Sequence, residues 1–210
     1  MNEYHKIQSI FKRDEKTHKF RMGEWSLPEF EYLQHNNWIF TEKIDGTNIR
    51  VIWDNFVKET VFKGRTDKAQ IYKPLLAKLN ELFPLEIMER IFESDICLYG
   101  EGYGAHIQGG GGNYIKNDVS FILFDVRVGH WWLKREDIEA IAEELKIKVV
   151  PIVASGTLHD AIRLIECNVQ STFGGFLAEG LVCRPAIELK ARNGERIITK
   201  IKHKDLQSLQ

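Results

Sequence analysis

The sequence lacks the long apolar runs and the cysteine clusters that mark several classes of protein. No stretch approaches the ~18 consecutive apolar residues of a membrane-spanning helix, so we expect no membrane partner. Residues 1–16 contain no apolar core followed by small residues, so we expect no signal peptide. Cys97, Cys167 and Cys183 are too few and too scattered for a disulfide framework or a zinc knuckle. These absences predict a protein of the reducing cytoplasm.

The sequence also lacks an excess of either charge. Lysine and arginine number 29 against 30 acidic residues, and the net charge of -1 by itself counts against a strongly basic nucleic-acid binder. The sum hides an uneven distribution, because residues 6–21 and 184–204 are both predominantly basic whereas residues 81–101 are predominantly acidic. The two basic stretches are compatible with phosphate binding and, equally, with solvated helix faces.

The rest of the composition is that of a globular protein. The 210 residues are 43% hydrophobic and 28% charged, which is ordinary for a soluble domain. A chain of this length buries about 70% of its unfolded surface, so it needs no disulfide or metal for stability. No internal repeat and no serine- or proline-rich linker divides the sequence. We therefore expect one compact domain over residues 1–210.

Apolar patterning predicts an α+β fold. Strands are predicted at residues 37–43, 48–53, 60–63, 95–101, 119–126, 178–184 and 197–202. The Asp45-Gly46 turn is expected to join the first two strands in a hairpin-like unit. Helical spacing of apolar residues predicts helices at residues 75–82, 135–146 and 158–165. Strands with interspersed helices, without regular alternation, favour antiparallel β-sheets flanked by helices.

Lys43 is the first candidate for chemistry. It stands at the end of a predicted strand, just before the Asp45-Gly46 turn. Apolar residues of the neighbouring strands would partly remove its ammonium group from water. Desolvation and nearby positive charges lower the pKa of an ammonium group, which is how a lysine becomes a nucleophile. A Lys-x-Asp-Gly turn alone is weak evidence, because lysine is common at strand ends.

Four further motifs follow Lys43 in order. They are Tyr99-Gly100-Glu101, Phe124-Asp125, Glu179-Gly180-Leu181-Val182 and Lys200-Ile201-Lys202. Each places a carboxylate, an aromatic ring or a lysine pair at or near a strand end. Side chains two residues apart in a strand share a face, so Lys200 and Lys202 would point to one side. Any one of these motifs is common on a solvated strand, and the ordered set is what is specific.

This order of motifs resembles that of the covalent nucleotidyltransferases, which comprise ATP-dependent DNA and RNA ligases and mRNA capping guanylyltransferases. Residues 41–48, Thr-Glu-Lys-Ile-Asp-Gly-Thr-Asn, look most like the nucleophile motif of the RNA ligase 2 type. DNA ligases and capping enzymes usually carry arginine where this chain has Asn48. The resemblance runs from about residue 38 to residue 205 and implies a single nucleotidyltransferase domain without a C-terminal accessory domain.

The resemblance implies an ATP-dependent RNA ligase that works in three steps. Lys43 would attack the α-phosphate of ATP, forming lysyl-AMP and expelling pyrophosphate. AMP would pass to a 5′-phosphate end, and a 3′-hydroxyl would then attack that end and release AMP. The expected partner is RNA with 3′-hydroxyl and 5′-phosphate ends, in a nicked duplex. An accessory protein could supply the substrate contacts that a second domain normally makes.

The resemblance and the chemistry of the side chains together suggest a set of nucleotide contacts. Lys200 and Lys202 would act with Lys43 in catalysis by clamping the phosphate as charge develops. Phe124 offers a flat face for adenine stacking, and Glu42 could face the adenine edge. Glu101 could accept a hydrogen bond from a ribose hydroxyl.

Metal and RNA contacts are expected at other positions. Glu179, together with Glu101, would hold Mg²⁺ or Mn²⁺, because such ions take oxygen ligands from few carboxylates. Arg65 matches a conserved basic position of the family and would contact a phosphate of the nucleotide or of the RNA 5′ end. Asn48 would contribute to the later, end-joining steps. Residues 102–114, which are rich in glycine, are expected to form a flexible loop over the nucleic acid.

Other functions remain open from the sequence. The alternatives within the same superfamily are a DNA-joining ligase, a capping-type guanylyltransferase, and a stand-alone adenylyltransferase that seals strands poorly. Asn48 argues against the first two. A binding module that keeps the fold without the chemistry is a further alternative, although every expected reactive residue is present.

Overall fold

The computed structural model describes residues 3–207, and their contacts group them into two compact units. The first unit comprises Glu3, Tyr4 and Asp45–Val150, and the second comprises His5–Ile44 and residues 151–207. Each unit contains a mostly antiparallel β-sheet flanked by helices. The predicted α+β class is therefore confirmed.

The strands and helices are numbered along the chain. The strands are β1 (Gln8–Ser9), β2 (Phe11–Arg13), β3 (Phe20–Trp25), β4 (Trp38–Lys43), β5 (Thr47–Asp54), β6 (Glu59–Lys63), β7 (Ile96–Gly104), β8 (Val119–Val128), β9 (Trp131–Trp132), β10 (Lys148–Val149), β11 (Ile152–Gly156), β12 (Gly180–Pro185) and β13 (Thr199–Lys202). The helices are α1 (Pro28–Tyr32), α2 (Lys73–Leu82), α3 (Leu85–Ile91), α4 (Gly111–Tyr114), α5 (Arg135–Leu145), α6 (Leu158–Glu166) and α7 (His203–Gln207).

The sheet of the second unit has the strand order β1-β13-β12-β4-β11, and β2 pairs with β3 beside it. Its pairings are antiparallel except for the short edge strand β1, which runs parallel to β13. Alternate residues of β4 are buried, so Trp38 and Phe40 enter the core with Leu181 and Ile201. The apolar face of α6 covers this side of the sheet. The opposite face of β4 and β13 is thereby left for polar side chains.

The sheet of the first unit has the order β10-β8-β7-β5-β6, with β9 paired to β8. One face of this sheet forms an apolar core to which Ile49, Val51 and Phe121 belong. Helix α2 contributes Leu75 and Leu79 to the same core. Because Ile49 and Val51 point into the core, the residues between and beside them, such as Asn48 and Arg50, lie on the other face.

The predicted hairpin around Asp45-Gly46 is wrong. Strand β4 pairs with β11 and β12, whereas β5 pairs with β6 and β7, so the turn carries the chain from one sheet into the other. An Asp-Gly pair favours a turn but does not require the strands on either side of it to pair. Gly46 is needed here because a Cβ at this position would lie 2.3 Å from the Gly102 carbonyl oxygen.

Most of the longer predicted elements are confirmed within a few residues. Helix α2 ends at Leu82, two residues before Pro84. Helix α5 ends at Leu145, and the next residue, Lys146, has a left-handed backbone conformation with φ of 55°. The strands β1–β3 and β9–β11 lie outside the predicted elements. Within residues 3–207, no helix is long and apolar enough to cross a membrane. The three cysteines carry free thiols.

Candidate active site

Lys43 ends strand β4 on the polar face of the second unit's sheet. Its neighbour in sequence, Glu42, points to the opposite, buried face. The Lys43 side chain is only 20% exposed, and its Nζ donates to Glu179 Oε2 at 2.6 Å. The lysine is thus both partly removed from water and fixed by a carboxylate.

Glu179 joins Lys43 to a second lysine. Lys202 Nζ lies 2.5 Å from Glu179 Oε1, the other oxygen of the same carboxylate. The backbone carbonyl of Glu179 accepts a hydrogen bond from the His203 N–H at 3.0 Å, which fixes the residue just before β12. The structure therefore brings together three predicted site residues in one charged group, here called the Lys43–Glu179–Lys202 cluster.

Strand register explains how this cluster forms. Gly180 pairs with Lys43 on one side and with Lys202 on the other, so the two lysines flank a residue that has no side chain. A Cβ on Gly180 would lie 2.1 Å from the Ile201 carbonyl oxygen. Glycine is therefore required by the close approach of β12 and β13.

Lys200 lies on the same face of β13, two residues before Lys202, while Ile201 between them is fully buried. It pairs in register with Val182 of β12, one step further along the face from Gly180. The prediction that Lys200 and Lys202 share a face with Ile201 opposite is confirmed. Lys43, Lys200 and Lys202 thus share the polar face of this sheet.

Glu42 is engaged elsewhere. It is 1% exposed, and its carboxylate accepts hydrogen bonds from the Ser171 hydroxyl at 2.6 Å, the Thr172 hydroxyl at 2.6 Å and the Thr172 N–H at 2.8 Å. These bonds use both of its oxygens and tie β4 to the segment at residues 171–172. Sequence reasoning missed Ser171 and Thr172, because an isolated Ser-Thr pair carries no distinctive signal.

The other predicted residues belong to the first unit. Asn48 and Glu101 face each other in register on β5 and β7. The Asn48 side-chain oxygen is buried, and no described residue donates a hydrogen bond to it. Buried polar atoms are rarely left unsatisfied, so this oxygen remains available as a hydrogen-bond acceptor.

Phe124 stands at an irregularity of β8. Tyr99 pairs with Asp125 and Gly100 with Leu123, so Phe124 is an extra residue in the bulge. The ring of Tyr4 meets the Phe124 ring edge-on at 5.1 Å between centroids, and the Tyr4 hydroxyl donates to Asp125 at 2.7 Å. The bulge and Tyr4 together orient the aromatic side chain that the sequence singled out.

Arg65 lies in the loop that follows β6. Its side chain is exposed, and it forms no hydrogen bond or ion pair with any residue of the described part of the chain. An unengaged guanidinium group can bind a phosphate through two parallel hydrogen bonds. Arg65 is therefore the predicted residue most available to an anionic ligand in the first unit.

The glycine-rich segment at residues 102–114 is more ordered than the sequence suggested. Helix α4 occupies its last four residues, and Ile107 is buried in the core. The Asp45 carboxylate accepts a hydrogen bond from the Gly110 N–H at 3.1 Å, and the Asp45 N–H donates to the Tyr114 hydroxyl at 3.2 Å. Asp45, in the turn after Lys43, thus anchors this segment.

Burial sets the protonation of several groups around these residues. It lowers the pKa of His203, whose ring lies 3.1 Å from the Ala178 carbonyl, and so favours the neutral imidazole. It raises the pKa of Cys97 to about 11, which keeps this thiol protonated and unreactive. Burial also raises the pKa of Tyr99, on the strand that carries Glu101.

A metal could be held only by a small set of protein oxygens. The described residues contain no group of three or more His, Cys, Asp or Glu side chains suited to an ion. Glu179 is one partly exposed carboxylate beside two cations. This donor set fits Mg²⁺ or Mn²⁺ in the usual nucleotide-site arrangement, with one or two carboxylates completed by phosphate oxygens and water.

Comparison with protein families gives one match. The model of the RNA ligase family matches residues 36–202, which include every predicted site residue. No curated protein sequence matches the chain significantly.

Several solved structures of the RNA ligase of Naegleria gruberi are similar in fold. The structure with PPi gives a TM-score of 0.66 at 19% identity and covers 87% of this chain and 54% of that one. A mutant with AMP and Mn gives 0.67 at 17% identity, with 87% and 54% covered. A mutant with ATP and Mn gives 0.67 at 16% identity, with 99% and 60% covered. The chain spans little more than half the length of these solved proteins.

Proposed function

The chain belongs to the RNA ligase family, and we propose that it is an ATP-dependent ligase that joins a 3′-hydroxyl end of RNA to a 5′-phosphate end. The observation that carries this proposal is the Lys43–Glu179–Lys202 cluster, in which one carboxylate holds two lysines at 2.6 and 2.5 Å. A nucleophilic amine, a cationic phosphate clamp and a carboxylate for a metal are what transfer of AMP to lysine needs.

In the proposed first step, the Lys43 Nζ forms a bond to the α-phosphorus of ATP as the bond to pyrophosphate breaks. The Lys43 ammonium group must first lose a proton to solvent and give up its hydrogen bond to Glu179, so that the Nζ lone pair is free to attack. Mg²⁺ bound at Glu179 would neutralise phosphate charge, and it would compete with Lys43 for the same carboxylate. Lys202 and Lys200 would then face the phosphates with their positive charges.

Residues of the first unit serve the nucleotide and the RNA in this proposal. Phe124 stacks on adenine, and Glu101 accepts a hydrogen bond from a ribose hydroxyl. Arg65 binds a phosphate, and Asn48 offers its unpaired amide oxygen to a donor during end joining. Glu42 takes a different role from the predicted adenine contact, since its oxygens already accept three hydrogen bonds; we propose that it positions β4 for Lys43.

We propose that the RNA backbone binds partly through lysines near the chain's start. In the β2–β3 hairpin, Lys12, Lys16 and Lys19 are exposed, whereas Arg13 forms an ion pair with Asp205 at 2.8 Å. Neutralising phosphates makes affinity fall steeply with salt. Replacing the three lysines by alanine should lower the salt dependence of duplex binding, and an unchanged dependence would remove the hairpin from the RNA interface.

The domain organisation is also a proposal. The family model spans residues of both units, so we propose that the two units act as one nucleotidyltransferase domain. An accessory protein that binds the RNA is compatible with a single nucleotidyltransferase domain. A ligase that prefers DNA strands is the second candidate, and Asn48 in place of the usual arginine argues against it.

A sealing assay tests the function. The purified chain is incubated with ATP, Mg²⁺ and a 5′-phosphorylated nick, in matched duplexes whose nicked strand is RNA or DNA. We expect joined RNA from the wild type and none from Lys43→Ala. GTP in place of ATP should give no product. Preferential joining of DNA would overturn the assignment to RNA, and accumulation of adenylylated 5′ ends without joining would identify an adenylyltransferase instead.

A further inference from the structure

A buried arginine next to the loop of Arg65 has no role in the reaction described so far. Arg50 lies on β5, and its side chain is 1% exposed. Its position on the polar face of the sheet follows from its core-facing neighbours Ile49 and Val51. Burying an arginine is costly unless its donors are used, so the groups that it binds indicate why it is there.

Two of those groups bracket Arg65. The Arg50 Nε donates to the Gly64 carbonyl oxygen at 3.0 Å, and its Nη2 donates to the Asp67 carboxylate at 2.7 Å. The guanidinium therefore spans the loop from the residue before Arg65 to the second residue after it. A planar fork can hold two acceptors in fixed directions, which the single ammonium group of lysine cannot do.

Other contacts hold the same loop. Asp67 also lies 3.3 Å from Lys63 Nζ, and its N–H donates to Glu3 at 3.3 Å. Gly64 is buried and packs so closely that a Cβ there would lie 2.8 Å from the Ala69 Cβ. The hydrogen bond from Arg50 lowers the pKa of the Asp67 carboxyl, so this partner stays charged near neutral pH. Arg65 is thus an exposed side chain with no partner among residues 3–207, on a backbone that is held on both sides of it.

We propose that Arg50 and Asp67 are positioning residues that hold Arg65 in place for a substrate phosphate. The pair acts through Arg65 and touches no substrate itself. The inference rests on the proposed function for the identity of the phosphate, which belongs either to ATP or to the 5′ end of the RNA. The gain is preorganisation, since a loop already held in its binding conformation loses less entropy when the phosphate arrives.

The test uses variants that separate positioning from folding. Asp67→Asn is the main variant, because this side chain is 62% exposed and its loss leaves the core intact. Arg50→Lys keeps the positive charge and removes the planar guanidinium group that donates to two acceptors. Asp118→Asn is the matched control, since Asp118 is equally exposed in the same unit and also pairs with a lysine, Lys78, at 3.6 Å. Arg65→Ala defines the effect of losing the phosphate contact.

Binding of ATP and of a 5′-phosphorylated nicked RNA duplex is measured separately, without divalent metal so that no chemistry proceeds. We expect Arg65→Ala to weaken binding of one of these two ligands by about ten- to hundredfold. Asp67→Asn and Arg50→Lys should weaken binding of the same ligand by about three- to tenfold. Asp118→Asn should change the binding of neither ATP nor the RNA duplex. In the Arg65→Ala background, Asp67→Asn should have no further effect beyond about twofold.

The non-additivity is the decisive result, because a residue that merely stabilises the fold would weaken binding in either background. Equal binding by wild type and Asp67→Asn, or losses that multiply in the double variant, would overturn the proposal. Wild-type chain that never forms a covalent adenylate with ATP and Mg²⁺ would instead overturn the proposed function. The two failures are therefore distinguishable in the same set of proteins.

Discussion

Replacing Glu179 by glutamine should destabilise the folded chain more than replacing either lysine that contacts it. The carboxylate is the shared partner of Lys43 and Lys202, and all three side chains are only about one-fifth exposed (17–21%). Glu179→Gln keeps the shape and removes the charge. Two ammonium groups then face each other across Gly180 without a counter-charge between them.

The structure sets the size of the effect. A hydrogen bond to a charged group contributes about 1.5–3 kcal/mol, whereas exposed ion pairs contribute about 0–1 kcal/mol. For side chains exposed by about one-fifth we take about 1–2 kcal/mol per pair, so Glu179→Gln should lower the free energy of unfolding by about 2–4 kcal/mol. Lys43→Met removes one pair and leaves the other, and its effect should be about 1–2 kcal/mol.

Urea denaturation of the two single variants and the double variant measures this directly. The double variant should be more stable than the sum of the single effects predicts, by about 1–2 kcal/mol, because removing Lys43 also removes the repulsion that Glu179→Gln creates. Glu139→Gln is the control, since Glu139 is 52% exposed and pairs with Arg135 at 2.6 Å; it should change stability by less than about 0.5 kcal/mol. Additive effects, or a smaller loss for Glu179→Gln than for Lys43→Met, would refute the reasoning.

Three further predictions concern stability and labelling. Gly180→Ala should lower the free energy of unfolding by about 1–3 kcal/mol and reduce covalent labelling, because its Cβ forces β12 and β13 apart; unchanged urea midpoints and labelling would contradict this. Glu42→Gln should lower the free energy of unfolding by about 1–3 kcal/mol, since a buried amide cannot replace both acceptor oxygens; no loss in the same assay would argue against the anchoring role. Thr157→Ala removes the capping box of α6 and should lower stability by about 1 kcal/mol. Hydrogen bonds from Thr157 lower the pKa of Asp160 to about 2, from its usual 3.8. The stabilisation by the ionised Asp160 should therefore be complete above pH 4 and disappear as the pH falls towards 2. If the urea midpoints of wild type and Thr157→Ala depend on pH in the same way, this prediction is wrong.

The motif positions were predictable from the sequence because strand alternation is a local property. The end of β4 at Lys43 and the shared face of Lys200 and Lys202 follow from a period of two residues. The contact of Lys43 with Glu179 does not, because it depends on the pairing of β4 with β12, and the two residues are 136 positions apart in sequence. The order of the motifs predicts that they act together. The pairing of Gly180 with both Lys43 and Lys202 explains how the two lysines come to share Glu179.

The errors also have physical causes. The turn signal at Asp45-Gly46 predicts a hairpin of β4 and β5. The two strands instead belong to different sheets, because strand pairing depends on the packing of distant segments and not on the turn alone. We propose a positioning role for Glu42 rather than the predicted adenine contact, because alternation in β4 places its side chain on the buried face. The sequence does not indicate a role for Arg50, because the role of an arginine within an apolar strand depends on the groups to which it donates in the fold.

The most direct test of the central claim is to locate AMP on the chain. Wild type, Lys43→Ala and the control Lys134→Ala, which changes an exposed lysine outside the proposed site, are incubated with labelled ATP and Mg²⁺, denatured, and analysed by gel and by peptide mass mapping. We predict covalent AMP on Lys43 in the wild type and in Lys134→Ala, and none in Lys43→Ala. A wild-type chain that carries no AMP, or AMP bound to another residue, would contradict the account.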